Sequence, residues 1–133
     1  MPDPLFKWPK LLLVETDDVY SNLLAFELRS FGLDVIECRV AMEALDRLDL
    51  EPSISCAVIN LEMPPNTLTG LGLARMMLNR NPKACVILTN SSCESDDPED
   101  VKLFGEILRK DPDAAVLARR IFGRLGIRLR RPG

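Results

Sequence analysis

A buried strand with a polar end, together with the loop behind it, decides the fold of this chain. The stretch reads SCAVINLEMP, Ser55–Pro64. It is apolar until the chain turns polar at Asn60, which predicts a fully buried strand that ends at this residue. A loop, Met63–Thr69, and a helix, Leu71–Leu78, are predicted to follow.

Short apolar runs alternate with helical patterns along the rest of the chain. Further strands are predicted at Lys10–Val14, Leu33–Ile36, Ala84–Thr89 and in the apolar stretch Val101–Leu108, and further helices at Val19–Phe31, Ala41–Leu48 and Asp111 to about Arg124. In the first helix, an apolar stripe is formed by Leu23, Leu24, Phe26, Leu28 and Phe31. Such alternation predicts right-handed crossovers and a parallel sheet with helices on both faces. Functional residues of these sheets lie at the carboxyl ends of the strands.

Composition excludes several classes of protein. The chain has 133 residues, 47% hydrophobic and 28% charged, which suits one globular domain. The net charge of −3 argues against nucleic acid as a partner. Histidine is absent, which removes imidazole ligands and bases. The run Leu11–Val14 is too short to span a membrane, and the amino terminus is no signal peptide, so we expect a cytoplasmic protein.

The strand-end residues, in their order along the chain, resemble a response-regulator receiver domain. Such domains carry an acidic pair after strand 1, a phosphoacceptor Asp ending strand 3, Thr or Ser ending strand 4 and Lys ending strand 5. The corresponding residues here are Glu15 and Thr16, Asn60, Thr89, and Lys110. In addition, Asn60 to Pro64 reads Asn-Leu-Glu-Met-Pro where the family has Asp-Leu-x-Met-Pro, and Gly32 falls where the first helix of the family ends.

The resemblance implies a three-layer α/β/α, flavodoxin-like fold. Its five-stranded parallel sheet would have the order 2-1-3-4-5, with two helices on one face and three on the other. We expect a receiver-like domain at residues 10–125, an N-terminal extension at 1–9 and a basic C-terminal tail at 126–133.

The chain departs from the family at the residues that carry its chemistry. Asn60 has nearly the shape of an aspartate but is a very poor nucleophile, so it should not accept phosphate. Because Thr16 replaces the second acid, metal affinity should fall sharply. We expect no cofactor and weak or absent Mg²⁺ binding, with Glu15 and the neighbouring Asp17 as the weak candidate ligands. Lys110 then has Glu15 or the Asn60 carbonyl as a partner.

Two further departures lie around the pocket. The position three before Lys110, where the family often has a switching aromatic residue, is Ile107. The loop after strand 3 is about two residues longer than usual, and Gly70 is expected to end it.

These departures favour an atypical receiver in two-component or phosphorelay signalling that is not an enzyme and acts through protein contacts. The partner would be a signalling protein, either a histidine kinase or a downstream effector. A second copy is another candidate, through the face that the fourth helix, fifth strand and fifth helix form in receivers, roughly Asp97–Arg124. No membrane partner is expected.

Other interpretations stay open. In one alternative, the domain is a phosphorylated receiver in which Asp17 or Glu62 accepts the phosphoryl group. In another, it is a sensor that binds a small molecule in the same crevice at the strand ends. In a third alternative, the acids Glu15 and Asp17 serve only as helix caps.

The four cysteines, Cys38, Cys56, Cys85 and Cys93, are expected to be reduced and buried, with Cys56 and Cys85 close together if strands 3 and 4 are neighbours.

Overall fold

A computed structural model describes residues 8–91 and 106–129 of the chain. The strands are β1 Lys10–Val14, β2 Asp34–Cys38, β3 Cys56–Asn60, β4 Cys85–Asn90 and β5 Glu106–Arg109; the helices are α1 Asp18–Ser30, α2 Ala41–Leu50, α3 Gly70–Arg80 and α4 Ala114–Leu129. All neighbouring strands run parallel, in the order β2-β1-β3-β4-β5. The predicted fold class and strand order are confirmed.

Side chains alternate between the two faces of the sheet, which gives the molecule two apolar cores. In β1, Leu11 and Leu13 pack under α1 and α4, whereas Leu12 and Val14 pack under α2 and α3. We call these the α1/α4 core and the α2/α3 core. The described helices are therefore two on each face. The third helix expected on one face belongs to the predicted Asp97–Arg124 face, of which residues 97–105 lie outside the described residues.

In helix α1, the exposure of two apolar side chains differs from the prediction. Leu24 and Leu28 are buried, but Leu23 and Phe26 are 54% and 69% exposed. A helix packed on one sheet buries only one stripe of side chains, so the broad apolar pattern splits into a buried and an exposed face. With Val19 at 68%, the exposed residues lie at spacings of four and three, on one side of the helix.

Helix α4 begins and ends later than predicted. Asp111 is not its N-cap: the Asp111 Oδ1 accepts from the Asp113 N–H at 2.8 Å, and Asp113 Oδ1 accepts from the Ala115 N–H at 2.9 Å. The first aspartate therefore forms a turn, and the second caps the helix. The helix continues to Leu129 rather than ending near Arg124, because Leu125 is buried and Leu129 packs on the α1/α4 core.

Candidate functional site

The carboxyl ends of four strands meet at one edge of the sheet. Asn60 and Thr89 are register partners on β3 and β4, and each is 2% exposed. The backbone continues this alignment past the strands, because the Leu61 N–H donates to the Thr89 carbonyl at 2.9 Å and the Lys110 N–H to the Asn90 carbonyl at 2.8 Å. The strand-end positions named from the sequence therefore surround one crevice.

Both ends of the Asn60 amide are hydrogen-bonded within the protein. Its Nδ2 donates to Glu15 Oε2 at 3.3 Å, and its Oδ1 accepts from the Glu62 N–H at 3.0 Å. A carboxylate oxygen can only accept and an N–H can only donate, so these partners determine the orientation of the amide. An aspartate here would place two carboxylate oxygens against each other at the position of the first bond.

Lys110 forms an ion pair with Glu15 across the crevice. Lys110 Nζ lies 2.9 Å from Glu15 Oε1, and the side chains are 16% and 2% exposed. The other carboxylate oxygen, Oε2, accepts from the Asp17 N–H at 2.9 Å as well as from Asn60. Of the two partners expected for Lys110, the structure selects Glu15. The single carboxylate that remains from the acidic pair is thus fully engaged.

Tyr20 covers the ion pair and was missed by the sequence analysis. Lys110 Nζ lies 4.5 Å from the centre of the Tyr20 ring, within cation–π range. The Tyr20 hydroxyl donates to the Asp111 carbonyl at 2.5 Å. Burial, followed by the charges of Glu15, Asp111 and Asp113, raises the pKa of Tyr20 to about 12, so the hydroxyl remains a donor. The available signal was that the only tyrosine of the chain lies in the first turn of α1, directly after the strand-end acids.

Asp17 caps α1. Its Oδ1 accepts from the Tyr20 N–H at 2.9 Å, and the residue is exposed. Asp17 is therefore the N-cap of α1, whereas Glu15, the other acid expected to serve only as a cap, pairs with Lys110. Thr16, between the two acids, is half-buried.

Glu62 closes the opposite side of the crevice. Its Oε1 accepts from the Ser91 N–H at 2.9 Å and from the Ser91 hydroxyl. These hydrogen bonds hold the pKa of the Glu62 carboxyl below its usual range, so the group is charged at neutral pH. The contact joins the loop after β3 to the residue after β4. Sequence reasoning had no signal for it, because neither residue belongs to a motif.

Ile107 and Gly70, which were also named from the sequence, are both closely packed in the structure. Ile107 is half-buried on β5 and packs against the α2/α3 core. Gly70 ends the long loop, as expected, and begins α3. A Cβ at Gly70 would overlap the Asn60 carbonyl oxygen and lie 3.1 Å from the Leu61 Cα. Glycine there lets the helix start against the end of β3.

The crevice does not fit Mg²⁺, the ion that the resemblance implies. Both carboxylate oxygens of Glu15 already accept from protein donors, and Asp17 Oδ1 accepts from the backbone N–H that it caps in α1. A hard cation prefers several oxygen ligands, with carboxylates foremost. Among the described residues, no group of three or more His, Cys, Asp or Glu residues could hold a metal.

A basic cavity of about 290 Å³ opens beside the crevice, on the far side of Lys110. It is lined by Arg109, Lys110, Asp111, Pro112 and Arg120. The other three arginines of α4, Arg119, Arg124 and Arg128, are exposed. Arg124 Nε pairs with Glu106 Oε1 at 3.0 Å, and Arg128 Nη1 donates to the Val86 carbonyl at 3.2 Å. No helix in the described part of the chain is long and apolar enough to cross a membrane.

Comparison with solved structures identifies the architecture. A putative response regulator from Chloroflexus aurantiacus superposes with a TM-score of 0.76 at 18% identity, covering 93% of this chain and 100% of that one. The signal receiver domain of a putative Luxo repressor protein from Vibrio parahaemolyticus gives 0.75 at 18% identity, covering 95% and 92%. The fold is that of response-regulator receiver domains.

A third structure with the receiver fold contains bound ligands. The response regulator TrrA from Thermotoga maritima, in complex with Mg²⁺-BeF, gives a TM-score of 0.73 at 19% identity, covering 87% of this chain and 98% of that one. No protein-family model matches the chain, and no curated protein matches it in sequence.

Proposed function

We propose that this receiver-fold domain works in two-component or phosphorelay signalling through protein–protein contact, without phosphorylation of residue 60. One observation carries the proposal: the position of the phosphoacceptor holds an amide, Asn60, whose nitrogen and oxygen are both bound to protein partners. An amide nitrogen shares its lone pair with the carbonyl group, and an amide oxygen carries no charge. Neither atom is a nucleophile able to attack a phosphoryl donor at neutral pH.

The charge of the crevice supports the same proposal. Phosphoryl transfer needs a cation to neutralise the charge that develops on the phosphoryl oxygens. Here Lys110 is already bound to Glu15 and covered by Tyr20. Glu15 is likewise committed to protein donors and Asp17 uses one oxygen to cap α1, so few carboxylate oxygens near the end of β1 remain for a metal. The charged groups of the crevice are therefore paired within the protein, and we infer that the domain is no enzyme and needs no cofactor.

The partner under this proposal is a signalling protein of the cytoplasm, either a histidine kinase or a downstream effector. A second copy of the chain is the other candidate, through the face that includes β5 and α4. The part of that face from 97 to 105 lies outside the described residues.

Intact-mass spectrometry after incubation with acetyl phosphate and Mg²⁺ tests the proposal. The natural chain should gain no phosphoryl adduct. Asn60→Asp should gain one only if the rest of the crevice still supports transfer, and Asn60→Ala is the matched control that removes the amide without adding a carboxylate. An adduct on the natural chain would refute the proposal, and peptide mapping would then decide between Asp17 and Glu62.

Both alternative acceptors already have structural partners. Asp17 Oδ1 caps α1, and Glu62 Oε1 holds the Ser91 backbone and hydroxyl. Phosphorylation at either residue would remove the negative charge of the carboxylate and so weaken these hydrogen bonds, which makes both residues weaker candidates than the absence of phosphorylation.

One observation favours a second function, the binding of a small anion. The cavity beside Lys110 has three basic residues and one acid in its lining. A small-molecule sensor would therefore use this cavity, next to the crevice, and would prefer a phosphate or carboxylate ligand. A thermal-shift titration with inorganic phosphate tests it: a rise in Tm that Arg120→Gln removes supports the sensor, and an unchanged Tm excludes phosphate as its ligand.

A further inference from the structure

Two cysteines lie side by side at the amino-terminal edge of the sheet, opposite the crevice. Cys56 is the first residue of β3 and Cys85 the first of β4, and their Cα atoms are direct register partners. Both side chains point into the α1/α4 core, so they share one face of the sheet. Each is reduced, and they are 1% and 3% exposed.

The spacing of neighbouring strands suits a covalent bond between this pair. Adjacent strands lie roughly 4.8 Å apart. A disulfide accepts Cα separations of about 4.4–6.8 Å, and its Cβ separation of about 3.5–4.5 Å is slightly shorter than the strand spacing, so the two Cβ atoms have to move a little closer together. The pair occupies the first register position of the two strands, where the Cys85 N–H donates to the Ser55 carbonyl at 2.7 Å. This hydrogen bond holds the starts of the two strands side by side.

The surroundings make the two thiols unequal. The hydrogen bond between them lowers the pKa of Cys85 and raises that of Cys56. The positive charge of Arg128, an exposed side chain of α4, lowers the pKa of both thiols. A pair in which one thiolate is stabilised and the other thiol stays protonated is suited to stepwise oxidation.

Cys38 provides an internal comparison. It is equally buried, but it lies in the α2/α3 core, and burial raises its pKa to about 12. A thiol held protonated in an apolar core is unreactive. The described residues therefore include one isolated buried thiol and one adjacent pair.

We propose that Cys56 and Cys85 form an oxidisable dithiol site that a peroxide converts into a disulfide between β3 and β4. In the first step, the Cys85 thiolate attacks one oxygen of hydrogen peroxide. The O–O bond breaks, a sulfenic acid forms, and the hydroxide that leaves takes up a proton to become water. In the second step, the Cys56 sulfur attacks the sulfenic sulfur, and the S–OH bond breaks as the thiol proton completes a second water. Two thiols are oxidised and one peroxide is reduced to two waters.

This site is independent of the function proposed for the crevice. Cys56 precedes Asn60 by four residues, and Cys85 precedes Thr89 by four, so the dithiol lies at the opposite end of the same two strands. Its test reads the state of the thiols, not phosphorylation or partner binding. Failure of one proposal therefore leaves the other unaffected.

The experiment treats the reduced natural chain with hydrogen peroxide in native buffer at neutral pH. Remaining thiols are alkylated in denaturant, and the intact mass and peptide map are recorded. We expect a loss of about 2 Da, two fewer alkylated cysteines and a linked peptide that joins Cys56 to Cys85. Cys38→Ser is the matched control and should form the same link.

A second variant separates the two steps. In Cys56→Ser the resolving thiol is gone but a hydroxyl remains that can donate to the Cys85 sulfur, so oxidation should stop at a sulfenic acid on Cys85 that dimedone traps. The proposal is overturned if the natural chain keeps its full mass under excess peroxide, or if the link includes Cys38 or Cys93. It is equally overturned if Cys56→Ser still loses two hydrogens.

Discussion

The ion pair in the crevice allows the most quantitative prediction. We expect Lys110→Met to lower the free energy of unfolding by about 3 kcal/mol, at the lower end of the cost of breaking a buried ion pair. The lower end applies because Glu15 keeps two donors, the Asp17 N–H and Asn60 Nδ2, and only its Oε1 loses a partner. For a domain of this size the loss corresponds to roughly 10 °C in Tm.

Glu15→Gln is the reciprocal change, and it should cost less, about 1–2 kcal/mol. The glutamine keeps the shape of the side chain, and the Lys110 ammonium, at 16% exposure, has access to some solvent. The double variant removes both charges at once, so neither is left unpaired. It should therefore lose less stability than the sum of the two single variants, by at least about 1 kcal/mol.

Urea denaturation of the four proteins, followed by circular dichroism at neutral pH, measures this coupling. Equal m-values would show that all four unfold from the same compact state. Repeating the cycle in about 1 M salt should preserve most of the coupling, because a buried pair is poorly screened. Additive losses at either salt concentration would refute the argument that Glu15 and Lys110 neutralise each other in the crevice.

Three further predictions concern the surroundings of the crevice. Gly70→Ala should destabilise the domain by about 2 kcal/mol, since a Cβ there overlaps the Asn60 carbonyl, and an unchanged urea midpoint would contradict this. Tyr20→Phe should cost about 1 kcal/mol because it loses the hydrogen bond to the Asp111 carbonyl but keeps the ring over the ammonium. A thermal melt that shows no loss for this variant would exclude the hydroxyl contact. Glu62 has a folded-state pKa below its unfolded value, so its stabilisation is present above the unfolded pKa and disappears as pH falls through the folded pKa. Urea midpoints measured from pH 7 to pH 3 should therefore fall less steeply for Glu62→Gln than for the natural chain, and parallel profiles would contradict the hydrogen bonds to its serine partner.

Much of the crevice could be read from the chain itself. Asn60 and Thr89 end apolar runs, and the ends of parallel strands meet at one edge of a sheet. Lys110 follows the last strand, and Glu15 was one of two partners named for it. The position of a lysine in the sequence does not say which of two acceptors its side chain reaches. In the structure, Lys110 Nζ lies 2.9 Å from Glu15 Oε1.

Predictions from local sequence patterns were wrong where tertiary packing determines which residues are buried and where a helix begins. The apolar residues of α1 predicted one stripe, yet Leu23 and Phe26 face away from the sheet. Periodicity reports which residues share a helix face, but it does not report whether that face has a neighbour. The start of α4 was misplaced for a similar reason, since Asp111 and Asp113 are both good N-caps and the backbone places the helix after the second.

The sequence by itself determined the alternation of strands and helices, the parallel sheet and the loss of the carboxylate at residue 60, because burial period and residue chemistry are local properties of the chain. Only the tertiary structure decided that Tyr20 lies over Lys110 and that Glu62 accepts hydrogen bonds from Ser91. It also decided that the Asn60 amide donates to the Glu15 carboxylate and accepts from the Glu62 N–H. The Tyr20 hydroxyl and the carbonyl it binds are 91 residues apart. Such a contact depends on how strands and helices pack in three dimensions, and no local pattern records that packing.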